Sequence, residues 1–142
     1  MSEISREQRA LIKSEIEDLI TEYGFRFDHG MADQMAELFT ENAHFRGVAG
    51  EARGTAELQK IFTEQAERVG VSRHSTSNLK LEIQDENHAV GTVAVTSYVH
   101  LGEGRGKPRP HMVGDFVDKY ERGADGEWRF AERHIVIAFS VY

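Results

Sequence analysis

The periodicity of the chain changes at residue 73, and this change restricts the fold more than any other feature. Before Arg73, apolar residues recur mainly at three- and four-residue intervals, as on one face of a helix. After it they alternate, as on one face of a strand. The seam is Arg73-His74-Ser75-Thr76-Ser77-Asn78, a polar run that passes into Leu79-Lys80-Leu81-Glu82-Ile83. Helices segregated from a run of strands imply an α+β fold rather than a parallel sheet with interleaved helices.

The first half predicts three helices. Ser5-Arg6-Glu7-Gln8 has the capping-box pattern. Leu11, Ile12, Ile16, Leu19, Ile20, Tyr23 and Phe27 follow at helical spacing, so one amphipathic helix runs from about Ser5 to Asp28. Gly24 lies late in it, where a larger residue would meet a packed neighbour. Gly30 suits a left-handed C-terminal stop. A short helix over Met31 to Phe39 follows, broken by Thr40-Glu41-Asn42. Ala43 to Arg46 reads as a short strand. The third helix has Thr55 as N-cap, Leu58, Ile61, Phe62 and Val69 as its buried stripe, and Gly70 as its stop.

Four strands follow, over Arg73–Gln84, His88–Leu101, His111–Glu121 and Glu127–Phe139. The second is apolar on both faces, as an interior strand is. Turns fall at Asp85-Glu86-Asn87 and at Arg122 to Gly126. Gly102 to Pro110 holds both prolines and reads as a solvated hairpin loop, with a lid as the alternative. A mostly antiparallel sheet of this length twists and curls. Helices across its concave side would leave a conical pocket.

The chain has 142 residues, enough for a single domain with a full core. Its 17 basic and 24 acidic side chains give a net charge of −7, which disfavours nucleic acid and anionic membranes as partners. The absence of cysteine removes disulfides, thiolate catalysis and cysteine metal sites. Met1 to Gln8 has no apolar signal core, and no apolar run approaches the roughly 20 residues of a membrane span. The expected location is cytoplasmic.

Asp28 and His74 are the residues that point to chemistry. A carboxylate at a helix C-terminus opposes the macrodipole, so a contact elsewhere is expected to retain Asp28. An imidazole is a good proton acceptor near neutral pH, and a carboxylate on its other nitrogen fixes the tautomer. Such a pair abstracts protons without cofactor or metal. The bland alternative is an ion pair tying helix to sheet. His111, at a strand entry, is a second acid/base candidate or a loop-edge residue. His100 and His134 read as structural or surface residues, and His29, His44 and His88 sit at element ends without an evident role. No histidine pair has helical ligand spacing and no second carboxylate is placed beside them, so no metal is expected. Strict alternation puts His74, Thr76 and Asn78 opposite Leu79 and Leu81, unless a bulge re-aims one residue. Tyr23, Phe27, Phe45, Phe62, Asn78, Tyr98 and Met112 are the candidates for contact with a ligand, although aromatic and methionine residues at such spacing are more often plain core.

Several segments together resemble the SnoaL-like group of the NTF2-like fold, which includes scytalone dehydratase and lindane dehydrochlorinase. They are Tyr23 to Phe39, Ala43 to Arg46, Arg73-His74 through Asn78-Leu79, and Asp118-Lys119-Tyr120-Glu121-Arg122 followed by Asp125-Gly126 and Trp128-Arg129-Phe130. The resemblance implies a cone-shaped fold with an apolar cavity and a homodimer. It also implies that Asp28 orients His74 as the base, with His111 near a second catalytic histidine. The chain departs from the dehydratase at Phe27 and Phe45, which stand at positions of water-holding tyrosines and cannot donate hydrogen bonds. The fold hosts lyases, isomerases, cyclases and non-catalytic subunits.

The resulting expectation is a cofactor-independent acid/base enzyme acting on a small apolar, cyclic or polyketide-like molecule. The rival is a binding or accessory subunit that uses the same cavity. No Gly-rich phosphate loop opens a helix, so a nucleotide is not the expected ligand.

Overall fold

The computed structural model describes residues 3–100 and 111–140. Leu101 and the loop from Gly102 to Pro110 lie outside the described residues. The first helix, α1, covers Arg6–Asp28. Ser5 caps it as the sequence predicts: its hydroxyl accepts from the Gln8 N–H, and the Gln8 side chain accepts from the Ser5 N–H. Its buried face is Ile12, Ile16, Leu19, Ile20, Tyr23 and Phe27, whereas Leu11 is exposed. The helix ends with Gly30 at φ +74° and the Met31 N–H donating to the Arg26 carbonyl. That is the six-to-one bond of a Schellman stop, and it needs a residue that tolerates positive φ.

The predicted middle helix is realised as two single 3-10 turns, Ala32–Gln34 and Ala36–Leu38. The helical turns end before Thr40-Glu41-Asn42, but that segment is strand rather than a loop. Strand β1 runs through it, over Phe39–Gly47, and turns back into a short β2, Gly50–Arg53, that the sequence did not suggest. The next helix, α2 (Gly54–Arg68), begins one residue ahead of Thr55 and has no side-chain cap; instead the Arg53 N–H donates to Glu57. Strands β3 (Val71–Asp85), β4 (His88–His100), β5 (Met112–Arg122) and β6 (Trp128–Ser140) complete the chain.

The six strands form one sheet in the order β2-β1-β6-β5-β4-β3. All pairs are antiparallel except β1 with β6. β4 is paired on both sides, as its apolar faces predict. The curled sheet and the helices packed on it make an NTF2-like α+β cone. Among the described residues, no helix is long and apolar enough to cross a membrane.

Two bulges decide which side chains face inward. On β3, Ser77 pairs with Ala94 and Lys80 with Thr92, so Asn78 and Leu79 oppose Val93 alone. Asn78 has φ +57°, a conformation that asparagine adopts more readily than most residues. The extra residue switches parity. Ser72 and His74 point inward ahead of it; Leu79, Leu81 and Ile83 pack on the core after it. On β6, Lys119 pairs with Glu132 and Tyr120 with Phe130, leaving Ala131 extra. Trp128 and Phe130 are buried before it, and Arg133 is buried after it.

The core centres on aromatic rings. Tyr23 of α1 meets Phe39, Phe62, Phe116 and Phe130 edge-on, with centroids 5.5–6.2 Å apart. The Asp-Gly-x-Trp-Arg-Phe segment serves this core. Arg129 grips Asp125 through two hydrogen bonds of 3.0 and 2.7 Å across the turn, and Gly126 takes φ +84°. Trp128 and Phe130 then enter the interior.

Candidate functional site

Asp28 is the last residue of α1, and β3 passes beside it. Its Oδ1 accepts from the Ser72 hydroxyl at 2.8 Å and from His74 Nδ1 at 2.7 Å, and its Oδ2 accepts from the His74 backbone N–H at 2.7 Å. These three donors offset the unfavourable position at the helix C-terminus. Burial pushes the Asp28 carboxyl up. The side-chain hydrogen bond from His74, its charge, its backbone N–H and the Ser72 hydroxyl outweigh that and hold the carboxyl below the usual range. Because an ionised carboxylate only accepts, Nδ1 of His74 carries a proton, and in the neutral form of the ring the lone pair is on Nε2. The Phe27 ring stands edge-on to the imidazole, with centroids 5.0 Å apart. Gly24 passes so close that an added Cβ would lie 3.5 Å from that of His74. An alanine fits there in ordinary van der Waals contact with His74.

His74 lines a cavity of about 350 Å³ between the concave side of the sheet and the helices, within the range of small-molecule sites. Tyr23 and Phe27 of α1, Phe45 of β1, and Met112 and Phe116 of β5 supply apolar wall. His111 also lines it, and its backbone N–H donates to the Ser97 carbonyl at 2.7 Å. The sequence reading did not single out Ser97, Gln65 or Arg68, which bring polar groups to the wall. Gln65 and Arg68 sit in the last turn of α2, where sequence shows only a solvated helix end.

Three expected contacts lie elsewhere. Phe62 is fully buried among Tyr23, Phe39 and Phe45, so it is core rather than lining. Asn78 occupies the β3 bulge and is exposed. Tyr98 is 39% exposed, because Ser97 and Val99 on either side take the inward positions of β4.

Beneath the cavity lies a buried charge that sequence reasoning missed. Arg133 has no exposed surface. Its Nε donates to Asp118 at 3.0 Å, and Asp118 also accepts from the Tyr120 hydroxyl at 2.8 Å. The guanidinium is stacked against Phe116 at 3.6 Å and against Tyr23 and Phe130 at 4.3 Å. Its two terminal nitrogens have no hydrogen-bond partner among the described residues. Burial pushes the Asp118 carboxyl up, against the pull of Arg133 and Tyr120. It pushes the Tyr23 hydroxyl up as well, which keeps Tyr23 protonated and able to donate. The signal for this cluster was the Asp118–Tyr120 alternation, but nothing marked Arg133 as its partner.

A second titratable cluster lies on the outer face of the sheet, where His44, Glu132 and His134 meet. Their spacing in sequence gave no hint of this.

A profile of the SnoaL-like domain matches residues 8–134. No curated protein matches the sequence. Solved structures resemble it closely in shape. A provisionally assigned scytalone dehydratase from Novosphingobium aromaticivorans superimposes with a TM-score of 0.86 at 18% identity, over 96% of this chain and 91% of that one. A type 2 hexachlorocyclohexane dehydrochlorinase (LinA) gives 0.82 at 20% identity, over 95% and 90%. ActVI-ORFA from Streptomyces coelicolor gives 0.76 at 18%, over 89% and 98%. At these identities the likeness is one of fold.

Proposed function

We propose that this chain, which belongs to the SnoaL-like domain family, is a cofactor-independent acid/base enzyme. Its chemical step is abstraction of a proton from a small, largely apolar, cyclic or polyketide-like molecule, leading to elimination, isomerisation or ring closure. The observation that carries this reading is the 2.7 Å contact between Asp28 and His74 Nδ1 at the wall of the apolar cavity.

The geometry supports the following division of roles. Asp28 fixes the tautomer, so Nε2 of His74 is the basic nitrogen. As Nε2 takes the proton, the imidazolium that forms is stabilised by the carboxylate already bound to its other side. His111, on the same cavity, returns or relays the proton. Tyr23 provides a protonated hydroxyl in a wall where Phe27 and Phe45 have none to offer. The rings of Phe27, Phe45 and Phe116 exclude water, which favours an apolar substrate over a phosphorylated one.

Proton abstraction has a readout that does not require the natural substrate. Cyclic ketones and polyketide-like aromatics of a size to fit the cavity are incubated with the protein in deuterium oxide and followed by mass spectrometry. Deuterium should enter at the acidic C–H position with the wild type and not with His74→Ala. Saturable binding of such compounds with no exchange would point instead to a binding or accessory protein.

The reading includes a homodimer joined through sheet surface. The outer face of the sheet exposes Val117, Val136 and Phe139 at 42–63% of their area on the neighbouring strands β5 and β6. Apolar groups clustered in this way are covered by a partner more often than left in water. Sedimentation equilibrium at micromolar concentration should give twice the chain mass, and Val136→Lys should shift the protein towards monomer. A wild-type monomer would remove this part of the reading.

A further inference from the structure

His44 and Glu132 are register partners on the parallel strands β1 and β6, and His134 follows two residues on. Ala43 and Phe45 on either side of His44 are buried, so His44 faces outward. The Ala131 bulge gives Glu132 and His134 the same outward parity. Three potential ligand atoms therefore converge on the side of the sheet away from the cavity. His44 Nδ1 lies 3.0 Å from His134 Nε2, His134 Nε2 lies 2.9 Å from Glu132 Oε1, and His44 Nδ1 lies 3.6 Å from that oxygen.

We infer that His44, Glu132 and His134 form a binding site for a divalent transition-metal cation of the zinc class.

Three features support this. The first is size. Ligands held about 2.0–2.2 Å from a tetrahedral zinc ion stand about 3.3–3.6 Å from one another, so the three atoms need shifts of only a few tenths of an ångström. The second is the donor set. Two imidazoles and one carboxylate suit zinc, cobalt or nickel better than calcium or magnesium, which prefer oxygen alone. The third is the support around the ligands. His44 Nε2 is bound by the Glu51 carboxylate, which orients the ring so that Nδ1 is the ligand, and Glu132 Oε2 is held by Lys119 Nζ at 3.0 Å. A carboxylate behind a ligating imidazole raises its basicity and fixes its tautomer.

Side-chain exposures of 13%, 24% and 19% leave the centre reachable by water, which would complete the coordination. The bound ion would join β1 to β6, the parallel pair among the described strands. The residues next in sequence, Phe45 and Ile135, line the cavity on the opposite face. The ion would therefore stiffen two strands of the cavity wall without touching a ligand inside it.

The test uses the untagged, full-length protein, stripped with chelator and titrated with zinc chloride by calorimetry. One zinc ion per chain should bind. His44→Ala and His134→Ala should each weaken binding by about 100-fold or more, and Glu51→Gln by about tenfold. His74→Ala should bind as the wild type does. Cobalt(II) should give visible d–d bands with the wild type that are lost in His134→Ala. Should the histidine variants fail to fold, Glu132→Gln keeps the side-chain shape and carries the same expectation of weakened binding. No saturable binding by the wild type overturns the inference. So does unchanged affinity in a folded ligand variant, or loss of binding in His74→Ala, which would put the ion in the cavity.

Discussion

Asp28→Asn should lower turnover by about 10²–10⁴ while the chain still folds. The carboxylate accepts three hydrogen bonds, two on Oδ1 and one on Oδ2. Asparagine has one accepting oxygen and one donating nitrogen. If its oxygen faces the His74 backbone N–H, its amide faces Ser72 and Nδ1. The hydroxyl can turn and accept, but the imidazole must move its proton to Nε2. The cavity would then be offered a donor where it had a base. In the opposite orientation two donors face each other at the His74 backbone. His74→Ala should cost at least as much turnover, and the double variant little more, because the two residues act as a unit. The deuterium-exchange rate measures the effect, and circular dichroism checks the fold. If the pair only ties α1 to β3, both variants lose stability while the exchange rate of the surviving folded protein stays near wild type.

The same pair gives a stability signature in acid. The Asp28 carboxyl is held lower in the folded chain than in the unfolded one. Its contribution is therefore fully present above the ordinary carboxylate value and is lost as the pH falls through the depressed folded value. Wild type and Asp28→Asn should differ most in melting temperature near neutral pH and converge in strong acid.

Asp118→Ala should destabilise the protein by about 3–5 kcal/mol, because it strands the Arg133 charge in the interior. Neither side chain has any exposed surface, so water cannot take over the role of the carboxylate. Two guanidinium nitrogens already have no hydrogen-bond partner among the described residues and rely on the faces of Phe116, Tyr23 and Phe130. A loss of this size is a large share of the ~5–15 kcal/mol that holds a typical domain together. Pairing Asp118→Leu with Arg133→Met removes both charges and should restore most of the stability, since buried ion pairs are often matched by apolar replacements. Urea unfolding of the three proteins measures it. A single Asp118→Ala variant within about 1 kcal/mol of wild type would mean that the charge escapes to solvent or that the ring faces alone hold it.

Much of the architecture was legible in the sequence because it rests on local rules. Ser5 and Gln8 cap a helix with their own side chains. Gly30 stops it because few other residues take that φ cheaply. The alternation after Arg73 becomes strands whose turns, at Asp85 to Asn87 and Arg122 to Gly126, carry their own signals. The meeting of Asp28 with His74 was anticipated from an awkward charge at a helix end and from the resemblance; composition and spacing alone would not have given it. The elements misjudged were short. Thr40 to Asn42 looks like a loop that breaks a helix, yet it lies in β1, a strand held between β2 and β6 by pairing with residues distant in sequence.

The sequence by itself thus determined the two long helices and the run of strands from β3 to β6, since capping, turn chemistry and periodicity act over a few residues. Only the tertiary structure decided which side chains share a face. One extra residue in a strand reverses every side chain beyond it. The bulge at Asn78 lets His74 and Leu81 both face inward although their parity differs. The bulge at Ala131 buries Arg133 beside Asp118 and turns Glu132 and His134 outward to meet His44. A bulge is fixed by the register between two strands, and register is settled by the packing of the whole sheet. The cavity residues, the buried charge and the outer cluster all follow from it, and no local window of the sequence contains it.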